Sequence, residues 1–417
     1  MARTIIVNHN RDTRVPFLRG ILTRSLQKAG LSFKDAYDLA SELRDDISQL
    51  DEITNLDLRK RVMRFLDKQC SASVSQRYQT NQSIDQTVLI RDIDQQAISF
   101  SRGLHRQVLK SLGIPSEQAA AIINRLHQEL LALEDREISS RQLGHMLHQA
   151  IRRDTGNKMA QRYLIWTAFR SSERPLIILI GGVPGCGKST VSVELANRMD
   201  IVRTQSTEML REVMRMMMPE RLAPVLHTSS LDAWRTLSTS SDSEATELNQ
   251  AIANGYFAQA EMLSVPCEAV VRRVLREKVS LVLEGVHIQP ALVNKLPVDD
   301  AAIVVPMILA VMNPDDLRKR IRRKEGLVPR SRADRYLHHF DGIWHLQTLL
   351  LSEADQLGIP IVNSTDRESA ILGATTVIME ALAGEFSVDI ETVFGPATVG
   401  ETADHETTQG AAAEQTD

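Results

Sequence analysis

The pattern of apolar and polar positions changes character near residue 170. Upstream, apolar residues recur at helical spacing: Ala36, Leu39, Ala40, Leu43 and Ile47 share one face of a 3.6-residue turn and predict an amphipathic helix. Helices are also predicted over 19–29 and 102–112, each stopped by a glycine, Gly30 and Gly113. Downstream, Pro175-Leu-Ile-Ile-Leu-Ile180 is continuously apolar, breaks into Gly181-Gly182, and is followed by Val191, Leu195 and Met199 on one helical face. Further apolar runs at 279–283, 307–312 and 359–362 alternate with helical stretches. One of these stretches carries Tyr336, Phe340, Ile343, Leu350, Ala354 and Leu357 on one face and is stopped by Gly358. Short, fully apolar strands alternating with helices predict an α/β domain whose parallel sheet is buried on both faces.

The upstream part repeats itself. A shift of 83 residues pairs Phe17 with Phe100, Arg19 with Arg102, Gly20 with Gly103, Leu26 with Leu109 and Gly30 with Gly113. With Ala36/Ala119, Leu43/Leu126, Leu50/Leu133 and Met63/Met146 this makes nine identities in 47 columns, where chance gives about three. Arg11-Asp12 and Arg91-Asp92 precede the copies; Gln76-Arg77-Tyr78 and Gln161-Arg162-Tyr163 follow them. Each copy is expected to be a short β-leader followed by helices. The predicted domains are 1–82, 83–168, the α/β domain at 169–384, and an acidic, disordered tail at 385–417.

Charge sharpens this division. The 417 residues carry 49 Lys+Arg and 53 Asp+Glu, a net charge of −4. Eight of the acids lie from Glu385 onward with no Lys or Arg among them, which leaves residues 1–384 at +4. Within 318–335, nine basic residues face two acidic ones. Positive charge so local does not make a nucleic-acid footprint. Cys70, Cys186 and Cys267 are isolated, and the histidine pairs His145/His148 and His338/His339 lack carboxylate companions, so neither a disulfide framework nor a zinc site is expected. The longest apolar run, 301–312, is interrupted by Pro306 and is too short for a membrane span. A soluble, cytoplasmic protein without a membrane or nucleic-acid partner is expected.

Gly182-Val-Pro-Gly185-Cys-Gly187-Lys188-Ser189 matches G-x-x-x-x-G-K-[ST] between a predicted strand and helix. Such a loop turns backbone N–H groups toward phosphate oxygens and adds the positive end of the following helix. Gly182, Gly185, Gly187, Lys188, Ser189 and Thr190 are thus the candidate ATP-binding residues, Lys188 for the β/γ-phosphates and Ser189 for Mg²⁺. Ligands of open α/β sheets sit beyond the carboxyl ends of the strands. Two such ends carry acids, Glu208 after 201–204 and Glu284 after 280–283, able to hold a magnesium-bound water or to accept a proton. The basic stretch after 307–312 reads as a lid whose arginines, with Arg320 and Arg323 as the catalytic candidates, neutralise a moving phosphoryl group, while about half of its charges serve as a solvated face.

Together these segments resemble the 2-phosphoglycerate kinase family. The resemblance rests on residues 179–190, on Ser206-Thr-Glu-Met-Leu-Arg-Glu-Val-Met-Arg215, on Leu226-His-Thr-Ser-Ser230 with Ala233-Trp234, on Ser280-Leu-Val-Leu-Glu-Gly-Val-His287, and on the arginine-rich segment with Arg335-Tyr336-Leu337. It implies a P-loop kinase that uses ATP and Mg²⁺ to convert 2-phosphoglycerate to 2,3-bisphosphoglycerate. Arg211, Arg215, His227, Ser229, Ser230 and His287 are then candidates for gripping the acceptor's phosphate and carboxylate. The two repeats resemble ATP-cone modules, which implies a regulatory nucleotide. The family reads Ser-Thr-Asp where this chain has Ser206-Thr207-Glu208, which shifts the carboxylate by about 1 Å. Two other readings use the same parts: a kinase of another phosphorylated acid, polyol phosphate or inositol phosphate, and an ATP-sensing regulatory protein without catalysis.

Overall fold

The computed structural model describes residues 4–8, 13–81, 88–92, 96–133, 137–237, 245–297, 301–323, 334 and 336–396. One succession of elements occurs twice. The first copy comprises β1 (Ile5–Asn8), β2 (Thr13–Pro16), α1 (Arg19–Lys28), α2 (Phe33–Ile47), β3 (Glu52–Thr54), α3 (Asn55–Gln69) and α4 (Ala72–Asn81). The second comprises β4 (Leu89–Arg91), β5 (Ala97–Ser99), α5 (Arg102–Ser111), α6 (Ser116–Leu131), β6 (Glu137–Ser139), α7 (Ser140–Thr155) and α8 (Asn157–Ser171). Their small sheets have matching orders, β2-β1-β3 and β5-β4-β6. The third strand of each copy is an addition to the expected β-leader and helices. In both, its last residue caps the next helix: Thr54 accepts from the Asp57 N–H, and Ser139 from the Gln142 N–H.

The described chain forms two compact units. One holds the described residues of Met1–Leu89, Ala97–Phe100 and Leu131–Glu137; the other holds those of Ile90–Gln96, Ser101–Leu130 and Ile138–Asp417. The core of the first gathers Leu22, Leu26, Leu39, Leu43, Ile47, Val62 and Leu66. Helices α5 to α8 therefore share a unit with the parallel sheet.

That sheet has five strands in the order β11-β10-β7-β9-β8, all parallel. Its elements are β7 (Leu176–Gly181), α9 (Lys188–Arg198), β8 (Arg203–Ser206), α10 (Thr207–Met217), α11 (Ala245–Glu277), β9 (Leu281–Glu284), β10 (Ile303–Ala310), α12 (Pro314–Arg323), α13 (Phe340–Gln356), β11 (Ile361–Asn363), α14 (Arg367–Glu385) and α15 (Ile390–Phe394). Each residue of central β7 is buried, as the continuous apolar run requires. Ile177 and Leu179 pack with Leu281, Leu283 and the α11 residues Cys267, Val271 and Val274. Helices α9 and α14 pack together and against the sheet. Leu357, expected on the buried face of α13, lies past its end and is 46% exposed.

The expectation that folded structure stops at 385 needs correction. Residues 385–396 are ordered by two aromatic anchors that an acidic composition conceals. Phe386 lies against Phe169, and Phe394 stacks on Tyr163 with a centroid distance of 5.8 Å. Around them Gln161 Nε2 donates to Val388 O at 2.8 Å and Arg174 pairs with Glu385 at 2.8 Å. Residues 397–417 lie outside the described chain.

Candidate active site

Strand β7 delivers the chain into the glycine-rich loop, and α9 starts at Lys188. Its N-cap, Gly187, has φ +98°, a conformation that side chains resist, and no side chain caps the helix. The first N–H groups of α9 are thus left for an anion. Lys188 is 7% exposed and its Nζ donates to Val183 O at 3.1 Å. Burial works against its ammonium, but Cys186, Glu208, Glu284 and Tyr336 outweigh burial and hold its pKa above the ordinary lysine value. The next side chain, Ser189, donates through Oγ to Glu284 Oε1 at 3.1 Å from the end of β9.

Glu208 opens α10. Its Oε2 accepts from Ser206 Oγ at 3.0 Å, and its Oε1 from the Val286 N–H at 3.3 Å. Burial would raise its pKa, yet the Lys188 ammonium, with hydrogen bonds from its own N–H and Ser206, keeps the carboxyl below the usual range. It is an anion at neutral pH. Neighbouring Gly285 has φ +156°, and a Cβ there would stand 1.8 Å from Thr207 Oγ1. Only glycine lets the end of β9 pass this close to α10.

Opposite the loop, α10 and residues 224–231 form a polar wall. Arg211 donates to Thr228 O at 2.6 Å and pairs with Glu212 at 2.8 Å; Arg215 pairs with the other Glu212 oxygen at 2.7 Å. His227 Nε2 meets Met218 O at 2.8 Å, and Ser229 Oγ donates to Asp232 at 2.6 Å. The two walls enclose a cleft of about 620 Å³. Gly185, Gly187, Lys188, Ser189, Glu208, Glu284, Arg211, Arg215, His227, Ser229 and Ser230 all line it.

Four predicted site residues lie elsewhere. Gly182 is buried beneath the loop, where a Cβ would meet Leu309 O at 2.4 Å, and Thr190 is exposed on the first turn of α9. Arg320 is pinned beside the loop by Ser364 Oγ at 3.1 Å and Thr365 O at 2.5 Å. His287, predicted to grip substrate, is 2% exposed and does not line the cleft. The Gln259 amide nitrogen donates to Val225 O and to Thr228 O, so its Oε1 faces His287 Nε2 at 2.8 Å as an acceptor. The His287 proton therefore sits on Nε2, with Ser230 Oγ also 3.0 Å away, and Nδ1 accepts from Thr207 Oγ1 at 3.0 Å. Burial lowers the imidazole pKa to about 4, with Glu208 opposing and Arg211 and Lys188 reinforcing the shift. His287 is a neutral strut behind the wall. The Arg323 side chain and residues 324–333 and 335 of the expected lid lie outside the described residues.

Sequence reasoning missed Glu212, Thr228, Met209 and Tyr336 as cleft residues. Each of the four lies inside a segment that carries the family resemblance, Met209 and Glu212 in 206–215, Thr228 in 226–230 and Tyr336 in 335–337, but none stood out there as a binding residue. Among the described residues no helix is long and apolar enough to cross a membrane.

Comparison with known proteins gives a consistent result. No protein-family model matches the chain. The chain is 30% identical to the 2-phosphoglycerate kinase of Pyrococcus furiosus over 283 residues, which make up 68% of this chain and 90% of the relative. It is 31% identical to the 2-phosphoglycerate kinase of Methanopyrus kandleri over 266 residues, 64% of this chain and 79% of the relative. Identity to the 2-phosphoglycerate kinase of Methanocaldococcus jannaschii is 28% over 283 residues, 68% and 88% of the two chains.

Proposed function

The chain belongs to the 2-phosphoglycerate kinase family, whose members are phosphotransferases, and from that premise we propose that it moves the γ-phosphoryl group of ATP to the free hydroxyl of 2-phosphoglycerate. The products are ADP and 2,3-bisphosphoglycerate. The observation that carries this reading is a single cleft with the Lys188–Ser189 loop on one wall and Arg211 and Arg215 on the other.

In this mechanism Lys188 and the first N–H groups of α9 hold the donor phosphates, and Arg320 adds positive charge beside the loop. Arg211, Arg215, His227 and Ser229 orient the acceptor through its phosphate and carboxylate. The acceptor hydroxyl oxygen bonds to the γ-phosphorus while the bond to the β–γ bridging oxygen breaks. The hydroxyl proton passes to the anionic Glu208 carboxylate. Ser189 Oγ and Glu284 Oε1, hard oxygen donors 3.1 Å apart, suit Mg²⁺ and would hold it. When bound, that ion neutralises phosphate charge. The resemblance of the two N-terminal repeats to ATP-cone modules supports a regulatory nucleotide at a second place.

The test is product identification with ATP and, separately, 2-phosphoglycerate, 3-phosphoglycerate, glycerate, and polyol and inositol phosphates. 2,3-Bisphosphoglycerate should form from 2-phosphoglycerate and be absent with Lys188→Ala. If no phosphorylated acid raises ADP release above ATP hydrolysis alone, the reading fails.

A further inference from the structure

The acceptor wall already contains an anion of its own. Glu212 places one carboxylate oxygen 2.8 Å from Arg211 and the other 2.7 Å from Arg215, and all three residues line the cleft. The carboxylate is 42% exposed, whereas Arg211 is 16% exposed and tied to Thr228 O. The guanidinium is thus fixed, and the exposed Glu212 side chain is the partner able to rotate away. With Glu212 in place, the charged side chains lining the cleft, Lys188, Arg211 and Arg215 against Glu208, Glu212 and Glu284, balance to zero. A dianionic phosphate entering between the two arginines competes with Glu212 for the Arg211 and Arg215 Nη2 groups that the carboxylate holds.

We propose that Glu212 is the exchangeable counter-ion of the acceptor-phosphate subsite, occupying Arg211 and Arg215 until a phosphate monoester replaces it. This rests on the acceptor-side reading of the two arginines. The exchange sets specificity: it weakens every anion that competes for the arginines and leaves the subsite to ligands that bring two charges. It also supplies a replacement anion as product leaves, so that the arginines are not stripped of both partners at once.

The test is isothermal titration of the full chain with inorganic phosphate, the glycine-rich loop first filled with Mg²⁺ and a non-hydrolysable ATP analogue. Glu212→Gln should tighten phosphate binding roughly five- to tenfold, the scale of two partly exposed ion pairs. Glu212→Asp, too short to span both arginines, should lie between. Adding Arg215→Gln to Glu212→Gln should remove the gain. Unchanged or weaker phosphate binding in Glu212→Gln overturns the proposal, and so does a gain that survives Arg215→Gln. These outcomes need no turnover, so they stay separate from the kinase reading. In parallel, Glu212→Gln should lower KM for 2-phosphoglycerate by a similar factor and leave KM for ATP unchanged; a raised acceptor KM would make Glu212 a brace for the arginines and overturn the exchange.

Discussion

Thr207 Oγ1 and His287 Nδ1 are joined by a 3.0 Å hydrogen bond in which the histidine is the acceptor, behind the wall of the cleft and shielded from water. That bond requires a neutral imidazole, and the requirement sets a pH dependence. In the unfolded chain the imidazole titrates near 6.5; in the folded chain burial has moved it to about 4. Above 6.5 both states are neutral and the full stability is present. Between 6.5 and 4 the unfolded chain takes up a proton that the folded chain refuses, so stability falls as pH falls, by an amount on the order of 3 kcal/mol when complete. His105, also lowered to about 4 by burial, adds its own share. Urea unfolding at pH 7.5 and pH 5 should therefore show a loss that His287→Gln reduces without abolishing. An identical loss in that variant would mean that His287 is not held neutral.

Gly285 makes a sharper demand on the same wall. Its N–H is fixed to Ile180 O at 3.1 Å, so the backbone has little room to retreat from Thr207. Gly285→Ala combines a left-handed φ with a Cβ inside the Thr207 hydroxyl. The expected cost is at least about 2 kcal/mol of stability, together with a fall in kcat/KM as Glu208 is displaced. Thr207→Ala alone should cost about 1 kcal/mol, and the double variant should be less damaged than the sum, because the hydroxyl contact is then gone and only the 2.8 Å approaches to residue 207 Cβ and Glu208 Oε2 remain. A strictly additive pair, measured by denaturant unfolding, would remove the Thr207 contact as the cause.

What could be read beforehand follows from how each signal is carried. The glycine-rich loop was legible because its motif fixes residue types at fixed offsets within one turn. The parallel sheet was legible because its strands are buried on both faces and their apolar runs need no partner to be seen. Strands β3 and β6 were not, since three residues carry no periodicity. His287 was placed correctly at the end of a strand, but which way it points depends on the Gly285 backbone and on Gln259 from a helix 28 residues away. Glu212 looked like an ordinary helix-surface acid until folding set its two oxygens on two arginines. The segment at 385–396 was hidden by averaging: two phenylalanines decide its structure, and composition over 33 residues dilutes them.

The C-terminal helix yields a separate test. His145 Nε2 meets Gly395 O at 3.0 Å, and a Cβ on Gly144 would strike the Phe394 ring at 2.3 Å. Phe394→Ala should destabilise the protein by about 1–2 kcal/mol, less than a fully buried phenylalanine costs because this ring is half-buried. Gly144→Ala should cost a similar amount by expelling the ring. Combined, the two should cost little more than either, since both break one contact. Thermal unfolding of the four proteins decides it, and full additivity would show that α15 is not held there.

Removal of the N-terminal repeats should have two distinct consequences. A chain starting at residue 83 keeps α5 to α8. If the first repeat binds a regulatory nucleotide, that chain loses any response of turnover to ATP or dATP outside the P-loop while chemistry persists. A chain starting at 166 loses far more. Gln107 of α5 donates to the Arg198 carbonyl at 3.4 Å, at the end of the helix that begins with Lys188, and the buried Arg162 of α8 donates to Leu112 O at 3.1 Å. Helix α8 also packs on α14. The shorter chain should lose cooperative thermal unfolding, or unfold at a much lower temperature; an unchanged midpoint would show that α5 to α8 are dispensable to the sheet.

Glu208 stands where relatives are expected to carry aspartate, and the geometry says what the extra methylene does. One carboxylate oxygen reaches Ser206 Oγ at 3.0 Å at the end of β8, and the other reaches the Val286 N–H at 3.3 Å in the turn after the neighbouring strand β9. The side chain therefore spans from β8 to the turn after β9. Aspartate, which draws the carboxylate back by about 1 Å, can keep the near contact but not both. Glu208→Asp should then lower kcat/KM by about tenfold, the value of one charge-assisted hydrogen bond of about 1.4 kcal/mol. The loss should fall mainly on kcat, because in the proposed mechanism the carboxylate acts on the acceptor proton and not on the phosphates that fix KM. Glu208→Gln, which keeps the length but removes the base, should cost at least about a hundredfold. Steady-state kinetics with saturating ATP separates the two: if glutamine and aspartate are equally mild, Glu208 is a brace between β8 and the turn after β9 and the proton leaves by another route.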